Sequence, residues 1–186
     1  MSKRGSTPAE EPDDTMLGES AAPIEDRVAL YFLRHGSAGS RDSWDGPDSA
    51  RPLTGKGRTL TRGVVDRLAE LGVKVDVIVT SPYLRARQTA ELAALALGPG
   101  RPVENEDALE PGFDIAGLRG ILKDNPDARS LMLVGHEPDF SMVVGELVGS
   151  ADLAIRKSGL AVVELTDPSA THGVLTWLAP PRSLAR

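Results

Sequence analysis

The fold is decided by the stretch Leu30-Tyr31-Phe32-Leu33-Arg34-His35-Gly36, in which an apolar run ends abruptly in an arginine, a histidine and a glycine. A short apolar run of this kind is typical of a strand buried on both faces of a parallel sheet. Polar residues that follow such a strand lie at the carboxyl edge of the sheet, where open α/β folds bind their ligands. A cation and an imidazole at that edge favour a phosphate site.

Two later segments repeat this pattern of an apolar strand followed by polar or cationic residues, one at residues 80–90 and one at residues 133–137. The carboxyl ends of parallel strands meet at one edge, so Arg85 and His136 are expected to lie near the first segment. Ser81-Pro82 predicts the cap and first turn of a helix, and Arg85 then lies where free backbone N–H groups favour an anion. A guanidinium there can hold two phosphate oxygens.

Taken singly, these residues have other interpretations. A histidine at the end of a strand, such as His35 or His136, is commonly a hydrogen-bonded structural group, and Arg85 alone could be a surface arginine. Arg87 cannot share the face of Arg85 and is interpreted as structural or solvated. His172, between a threonine and a glycine in an expected turn, is interpreted as a surface residue. The spacing of the three histidines is weak support for a metal site, so no metal is expected.

The composition narrows the class of protein. The 186 residues are 40% hydrophobic and include no cysteine, which indicates one ordinary domain and excludes disulfides and thiolate metal ligands. The formal net charge is −6, of which residues 1–26 carry −5 through two basic and seven acidic groups. The sequence has no cluster of basic residues of the kind that binds nucleic acid, so no nucleic-acid partner is expected. Neither a signal peptide nor a run of membrane-spanning length is recognised, so a cytoplasmic location without membrane contact is expected.

Three regions are predicted along the chain: a disordered acidic tail at residues 1–26, a single folded domain at residues 27–180 and a short C-terminal tail at residues 181–186. Strand and helix signals alternate through the domain, which predicts a three-layer α/β/α sandwich with a mostly parallel sheet and an antiparallel edge. The predicted strands are 28–33, 75–80, 130–134, 160–165 and 174–178, with an edge strand near Val103. The predicted helices are about 55–71, 82–97, 115–122 and 140–148.

Four motifs in chain order resemble those of the histidine phosphatase superfamily, whose mark is Arg-His-Gly after the first strand. They are Arg34-His35-Gly36, Arg51-Pro52-Leu53-Thr54-x-x-Gly57, Ser81-Pro82-x-x-Arg85-Ala86-x-Gln88-Thr89 and Val134-Gly135-His136. The resemblance covers about residues 28–178 and is to the short bacterial SixA-type phosphohistidine phosphatases, which lack the long inserted cap of the acid phosphatases and phytases. It implies a phosphoglycerate mutase-like fold.

The resemblance also implies a phosphatase that needs neither a metal nor a cofactor. His35 would be the nucleophile, and its neutral imidazole would form a phosphohistidine that water then cleaves. Arg34, Arg85 and His136 would surround the phosphoryl oxygens and neutralise the charge that spreads over them in the transition state.

The family also uses a carboxylic acid to protonate the leaving group. Three loop carboxylates are candidates for this role, and Asp48 is favoured over Glu110 and Glu137. A poor acid would suit a phosphoramidate such as phosphohistidine, because its nitrogen leaving group is easily protonated. The expected substrate is therefore a protein that carries phosphohistidine, or another small exposed phosphate.

Two other functions stay open. The first is a phosphatase of small metabolites such as sugar phosphates or nucleotides; Trp44, in the loop after His35, could stack on such a group or could simply pack locally. The second is a regulatory module that binds phosphate without turnover, although a domain used only for binding would not need a nucleophile in line with the arginines.

Overall fold

A computed structural model of the chain describes residues 27–165 and 172–185. The strands are β1 (Val28–Arg34), β2 (Val77–Thr80), β3 (Glu104–Asn105), β4 (Ser130–Gly135), β5 (Leu160–Leu165) and β6 (Gly173–Ala179). The helices are α1 (Gly55–Glu70), α2 (Leu84–Leu97), α3 (Ile115–Asp124), α4 (Asp139–Val148) and α5 (Pro181–Leu184). The acidic tail predicted at residues 1–26 lies outside the described residues.

The strands form one mixed sheet in the order β3-β2-β4-β1-β5-β6. The pairs among β1, β2, β3 and β4 are parallel, whereas β5 runs antiparallel to both β1 and β6. The prediction of a mostly parallel sheet with an antiparallel edge is therefore confirmed, and β3 is the predicted edge strand. β4, the most apolar strand, is buried from Leu131 to Gly135 because helices cover both of its faces.

Two apolar cores, one on each face of the sheet, account for the three layers. Leu30 and Phe32 of β1 point into a core shared with α3 and α4. Leu33 points to the other face and packs in a core shared with α1, α2 and α5. This division follows from the alternation of side chains along a strand. The predicted three-layer α/β/α sandwich is confirmed.

One helix begins where its capping residue predicts, and another begins later than predicted. Thr54 caps α1, and its Oγ1 accepts a hydrogen bond from the Gly57 N–H at 3.0 Å. The helix α2 begins at Leu84, two residues later than Ser81-Pro82 predicts, because Tyr83 keeps an extended backbone. The Ser81 hydroxyl accepts from the Tyr83 N–H at 3.3 Å and so organises the turn that precedes the helix. Arg85 still lies in the first turn.

The packed structure continues beyond residue 180, where the sequence predicts a short tail. Pro181–Leu184 form α5, which packs against α1, and Pro181 and Leu184 are buried. Leu184 joins the core on the α1 face, so apolar burial holds this segment in place. Among the described residues, no helix has the length and apolar character needed to cross a membrane.

The register of the strands defines two edges of the sheet. Arg34 pairs with Gly135, and Thr80 pairs with Val134, so β1, β2 and β4 end together at what we call the site edge. Because β5 is antiparallel to β1, it begins at the site edge, where Leu160 pairs with Leu33. We call the opposite edge, at which β1, β2 and β4 begin, the far edge. The loop before β5 is thereby delivered to the same place as the ends of the parallel strands.

Candidate active site

His35 lies at the site edge with its ring held in one orientation. Its Nδ1 is 2.7 Å from the carbonyl oxygen of Gly36, and its Nε2 is 3.2 Å from Nε of Arg85. A carbonyl oxygen only accepts, so Nδ1 carries the proton, and the lone pair of Nε2 accepts from the guanidinium. The ring is 7% exposed. The arrangement presents an unprotonated ring nitrogen beside a cation.

The turn after His35 is fixed by the backbone on both sides. The His35 N–H donates to the Gly135 carbonyl at 3.0 Å, and the Gly36 N–H donates to the hydroxyl of Thr89 at 3.1 Å. Any side chain at Gly36 would collide with the Thr61 hydroxyl, so glycine is required by close approach. Close packing against Thr61 therefore explains the glycine in the turn predicted at Gly36, and this turn holds the imidazole of His35 against α2.

Arg85 connects the parts of the site. Its Nη1 donates to the backbone carbonyl of Asp48 at 2.8 Å, and its Nη2 lies 3.0 Å from Oδ2 of the same residue. Nη2 is also 3.4 Å from Nδ1 of His136. The guanidinium stacks over the ring of Tyr83, with Cζ 4.8 Å from the ring centroid. A buried cation is thus positioned by a carboxylate, two imidazoles and an aromatic face.

His136 comes from the end of β4 and faces His35, with 5.1 Å between the ring centroids. Nδ1 faces the Arg85 guanidinium and accepts from it, so Nε2 carries the proton and donates to the Ser81 hydroxyl at 2.9 Å. Burial lowers the pKa of His136 to about 4, with the Arg85 charge acting in the same direction. Burial likewise lowers the pKa of His35 to about 3. Both imidazoles are neutral at neutral pH.

Arg34 completes what we call the His35 cluster, formed by His35, Arg34, Arg85 and His136. Its Nη1 donates to the carbonyl of Ile155 at 2.8 Å, while its Nε is buried without a hydrogen-bond partner. Burial lowers the pKa of Arg34, and its charge acts on both imidazoles. A buried N–H without an acceptor is costly unless a ligand supplies one. The structure brings together the four residues that the sequence assigned to nucleophilic attack and phosphoryl binding.

Asp48 is also at the site, but its surroundings oppose the predicted role of proton donor. Its Oδ1 accepts from Nε of Arg51 at 2.9 Å, and its Oδ2 pairs with Arg85. Burial raises the pKa of Asp48, but the hydrogen bonds and charges of Arg51 and Arg85 outweigh it and leave the pKa below its ordinary value. A carboxyl group that stays ionised has no proton to give. The contacts instead suit a residue that positions the two arginines.

The other two candidate carboxylates lie in different surroundings. Glu137 Oε1 accepts from the Ser141 hydroxyl at 2.8 Å and from the Ile155 N–H at 3.3 Å. It thereby holds the segment whose carbonyl binds Arg34. Glu110 is exposed and follows a 3-10 turn at Asp107–Leu109. Neither is brought into the hydrogen-bonded network of His35.

Three further side chains that the sequence singled out lie outside that network. The Trp44 indole N–H donates to the Pro47 carbonyl at 3.0 Å and the ring covers Gly46, so it packs locally. Arg87 is exposed on α2. His172 is exposed and immediately precedes β6, whose first residue pairs at the far edge. Among the described residues, no group of three or more metal-binding side chains is placed to hold a metal ion.

Sequence reasoning gave no role to several residues at this site. Ser81 and Thr89 lie inside a motif that was recognised, and their hydroxyls bind His136 and the Gly36 N–H. Arg51 is likewise in a recognised motif and pairs with Asp48. No motif in the sequence points to Lys157, because it lies in the irregular loop before β5. This loop reaches the site edge only because β5 runs antiparallel to β1.

Comparisons with known proteins agree with this geometry. The model of the histidine phosphatase superfamily (branch 1) matches residues 30–112. The chain is 47% identical over 116 residues to an uncharacterized protein of Picosynechococcus sp. (strain ATCC 27264 / PCC 7002 / PR-6), an alignment that covers 60% of this chain and 68% of that protein. It is 28% identical over 160 residues to phosphohistidine phosphatase SixA of Escherichia coli (strain K12), which covers 84% of this chain and 96% of SixA.

A solved structure of the protein histidine phosphatase SixA with tungstate is similar to this one, with a TM-score of 0.76 and 29% sequence identity. The match covers 84% of this chain and 99% of that one. The predicted phosphoglycerate mutase-like fold is thereby confirmed. The motifs, the fold and these relatives agree. The chain is a phosphatase that belongs to the histidine phosphatase superfamily, in its short SixA-like branch.

Proposed function

We propose that this phosphatase hydrolyses phosphohistidine on proteins through a phosphorylated His35. One observation carries the proposal: the Nδ1 proton of His35 is held by the Gly36 carbonyl, so Nε2 is unprotonated and lies 3.2 Å from the Arg85 guanidinium. A nucleophile must present a lone pair, and a phosphoryl acceptor must neutralise oxyanion charge. His35 and Arg85 supply these two requirements at one point.

In the first step, Nε2 of His35 attacks phosphorus, a new P–N bond forms and the bond to the leaving nitrogen breaks. The transition state is loose, and its charge is spread over three phosphoryl oxygens. The guanidinium of Arg85, which donates to Nε2 in the free protein, turns its N–H groups to those oxygens. Arg34 offers a buried N–H that has no acceptor, and His136 adds a neutral imidazole.

The ionisation state of Asp48 determines which leaving groups the site can accommodate. Because the arginines keep Asp48 ionised, it cannot protonate the alkoxide that leaves an ordinary phosphate ester. The leaving imidazole of a phosphohistidine takes its proton readily from water and departs without a strong acid. A site with neutralising cations and an ionised carboxylate therefore favours phosphoramidates. We assign Asp48 the role of positioning Arg85 and Arg51.

In the second step, water attacks the phosphorus of phospho-His35, a P–O bond forms as the P–N bond breaks, and both protons of the water leave with the inorganic phosphate while Nδ1 of His35 keeps its own proton. The imidazole returns to its neutral form, which its lowered pKa favours. The relative named phosphohistidine phosphatase SixA is covered almost end to end by this chain, which supports a protein-borne substrate.

The mechanism is tested by mass spectrometry of the protein after rapid mixing with a phosphohistidine peptide. We expect an acid-labile phosphate on His35 that decays as inorganic phosphate appears, and His35→Ala should lose at least about 10⁴-fold in kcat because the nucleophile is absent. His172→Ala is the matched control, since it removes a histidine from the far edge and should retain activity. Turnover by His35→Ala at the wild-type rate would show the proposed intermediate to be wrong.

The substrate is tested separately with a phosphohistidine peptide, a phosphoserine peptide and a sugar phosphate. We expect kcat/KM to be highest for the phosphohistidine peptide, because it does not depend on a proton donor. Faster hydrolysis of the sugar phosphate would retain the mechanism and replace the substrate with a metabolite. Tight binding of all three without phosphoenzyme or phosphate release would instead identify a binding module.

A further inference from the structure

The loop before β5 makes a turn at Lys157-Ser158 that rests directly on the end of β1. The Ser158 N–H donates to the carbonyls of Arg34 at 3.1 Å and His35 at 3.2 Å. Its hydroxyl is 2.8 Å from the hydroxyl of Thr61, and the residue is fully buried. These contacts fix the backbone of Lys157 beside the two residues at the centre of the site.

The turn keeps this position at a cost in backbone strain. Ser158 has a φ of 60°, and it is the one residue other than glycine with a positive φ among residues 27–165 and 172–185. This conformation is unfavourable for an L-residue because it brings Cβ too close to the following carbonyl oxygen. A residue held so by its surroundings is enriched at ligand sites. Gly159 follows because a Cβ there would lie 2.7 Å from the carbonyl of Arg156.

The ammonium group of Lys157 adds a positive charge that the protein does not neutralise. Lys157 is exposed and has no hydrogen-bond or ion-pair partner in the described part of the chain. Partial desolvation of the side chain lowers the pKa of Lys157, and the charges of Arg34, Arg51 and Arg85 lower it further. Like charges repel, so this arrangement is unfavourable in the absence of an anion.

The nearby carboxylates do not supply that anion. Asp48 is already paired with Arg51 and Arg85, and Glu137 accepts from Ser141 and the Ile155 N–H. The His35 cluster already provides the hydrogen-bond donors that a single phosphoryl group needs. The remaining charge is that of Lys157, an exposed residue of the loop that rests on the end of β1.

We propose that Lys157 binds a second anionic group of the substrate, a carboxylate or phosphate that lies outside the transferred phosphoryl group. On a protein substrate this group is an acidic side chain near the phosphohistidine, and on a small molecule it is a second acid group. Lys157 is then a specificity-determining residue. The inference rests on the phosphoryl pocket proposed above and holds for either carrier of the phosphate.

The test compares two ligands that are not hydrolysed: methylphosphonate, which has only the phosphonate, and phosphonoacetate, which adds a carboxylate. Binding is measured by calorimetry at one pH near neutrality for every ligand and variant, so that the amine of Lys157, whose pKa is lowered, stays protonated. For the wild type we expect phosphonoacetate to bind about tenfold more tightly, a typical contribution of a hydrogen bond between charged groups. Lys157→Ala should abolish this preference and change methylphosphonate affinity less than about twofold.

Two further variants make the comparison specific. Lys157→Arg keeps the charge and should keep most of the preference. Arg156→Ala removes the same charge from the adjacent exposed position, but Arg156 is not among the charges that act on Lys157, so the preference should be unchanged. Loss of the preference in Arg156→Ala would reduce the effect to net charge and overturn the proposal.

Each other outcome also decides the question. Equal affinity of the wild type for both ligands, equal weakening of both in Lys157→Ala, or a preference that survives Lys157→Ala would each overturn the proposal. Failure of both ligands to bind would overturn the pocket on which it rests. A preference that depends on Lys157, without any phosphoenzyme from a phosphohistidine peptide, would uphold the inference and leave only the proposed substrate wrong.

Discussion

The two edges of the sheet differ in how their ionisable side chains are stabilised. At the far edge, the Asp76 carboxylate accepts from the backbone N–H groups of Arg129 at 2.8 Å and Ser130 at 2.9 Å. Burial raises the pKa of Asp76, but these hydrogen bonds outweigh it and keep the carboxylate ionised. At the site edge, His35 and His136 are held neutral beside the charges of Arg34 and Arg85.

The difference shows which edge is built for a ligand. The same parallel strands end at one edge and begin at the other, so the topology alone does not distinguish them. A buried guanidinium Nε without an acceptor occurs at both edges, in Arg27 and in Arg34, and does not distinguish them. The far edge pairs the Asp76 carboxylate with backbone N–H groups, whereas the site edge gathers Arg34, Arg85 and two neutral imidazoles at one point. Changes at the site edge should therefore affect activity more than stability, and changes at the far edge should do the reverse.

The largest expected effect is on activity at the site edge. Arg85→Met should lower kcat/KM by about 10³-fold, because it removes the donor closest to the reacting nitrogen. The unfolding free energy should fall by only about 1–2 kcal/mol, since the ion pair that is lost is with the partly exposed Asp48 and burial already lowers the pKa of Arg85. Steady-state kinetics and urea unfolding measure the two quantities.

Arg87→Met is the matched control for this substitution. It lies two residues further along α2, is exposed and should change kcat/KM less than about twofold. A fall in stability of several kcal/mol in Arg85→Met, with a proportionate loss of folded protein, would mean that Arg85 supports the fold and that the two edges do not differ as argued.

The next effect is on stability and appears only in mild acid. The pKa values of His35 and His136 are lowered to about 3 and about 4, whereas the unfolded chain binds these protons near pH 6.5. The unfolded state therefore gains protons first as the pH falls, and stability is lost from about pH 6.5 downward. By pH 5 each histidine should cost about 2 kcal/mol.

Urea unfolding at pH 7 and pH 5 tests this expectation. The wild type should lose stability between these two values, and His35→Gln should lose about 2 kcal/mol less because it removes one titrating group. Saturating phosphate should reduce the loss, since a bound anion favours the protonated imidazoles. Identical pH dependence in the wild type and His35→Gln would show that the site edge does not carry this cost.

The apolar runs and helix signals were enough to predict the sheet, its layers and the meeting of Arg34, His35, Arg85 and His136. Each of these residues follows an apolar strand or opens a helix, so its place is set by local sequence and by the common direction of parallel strands. The lowered pKa of Asp48 was not predictable, because it depends on arginines that the irregular loop around Asp48 brings together.

Lys157 illustrates a second kind of limit. Its position depends on the direction of β5 and on a strained turn at Ser158. Neither feature produces a hydrophobic periodicity or a residue composition that can be recognised in the sequence. The late start of α2 has a similar cause, since the Ser81 hydroxyl binds the N–H of Tyr83 rather than one further along the helix. Local signals therefore located the strands and their ends, while contacts between distant loops set the electrostatics.

The smallest expected effect isolates the far edge. Asp76→Asn should lower the unfolding free energy by about 1 kcal/mol at pH 7, because a neutral amide oxygen accepts the N–H groups of Arg129 and Ser130 less strongly and this exposed site is screened by solvent. The pKa of Asp76 is lowered in the folded state, so its contribution is complete above about pH 4 and is lost as the pH falls through the folded value. The difference between the wild type and Asp76→Asn should consequently stay constant from pH 7 to pH 5, the range in which the histidines of the site edge titrate in the unfolded chain. If kcat/KM falls along with stability in Asp76→Asn, the two edges are coupled through the strands; if it is unchanged, they are energetically separate.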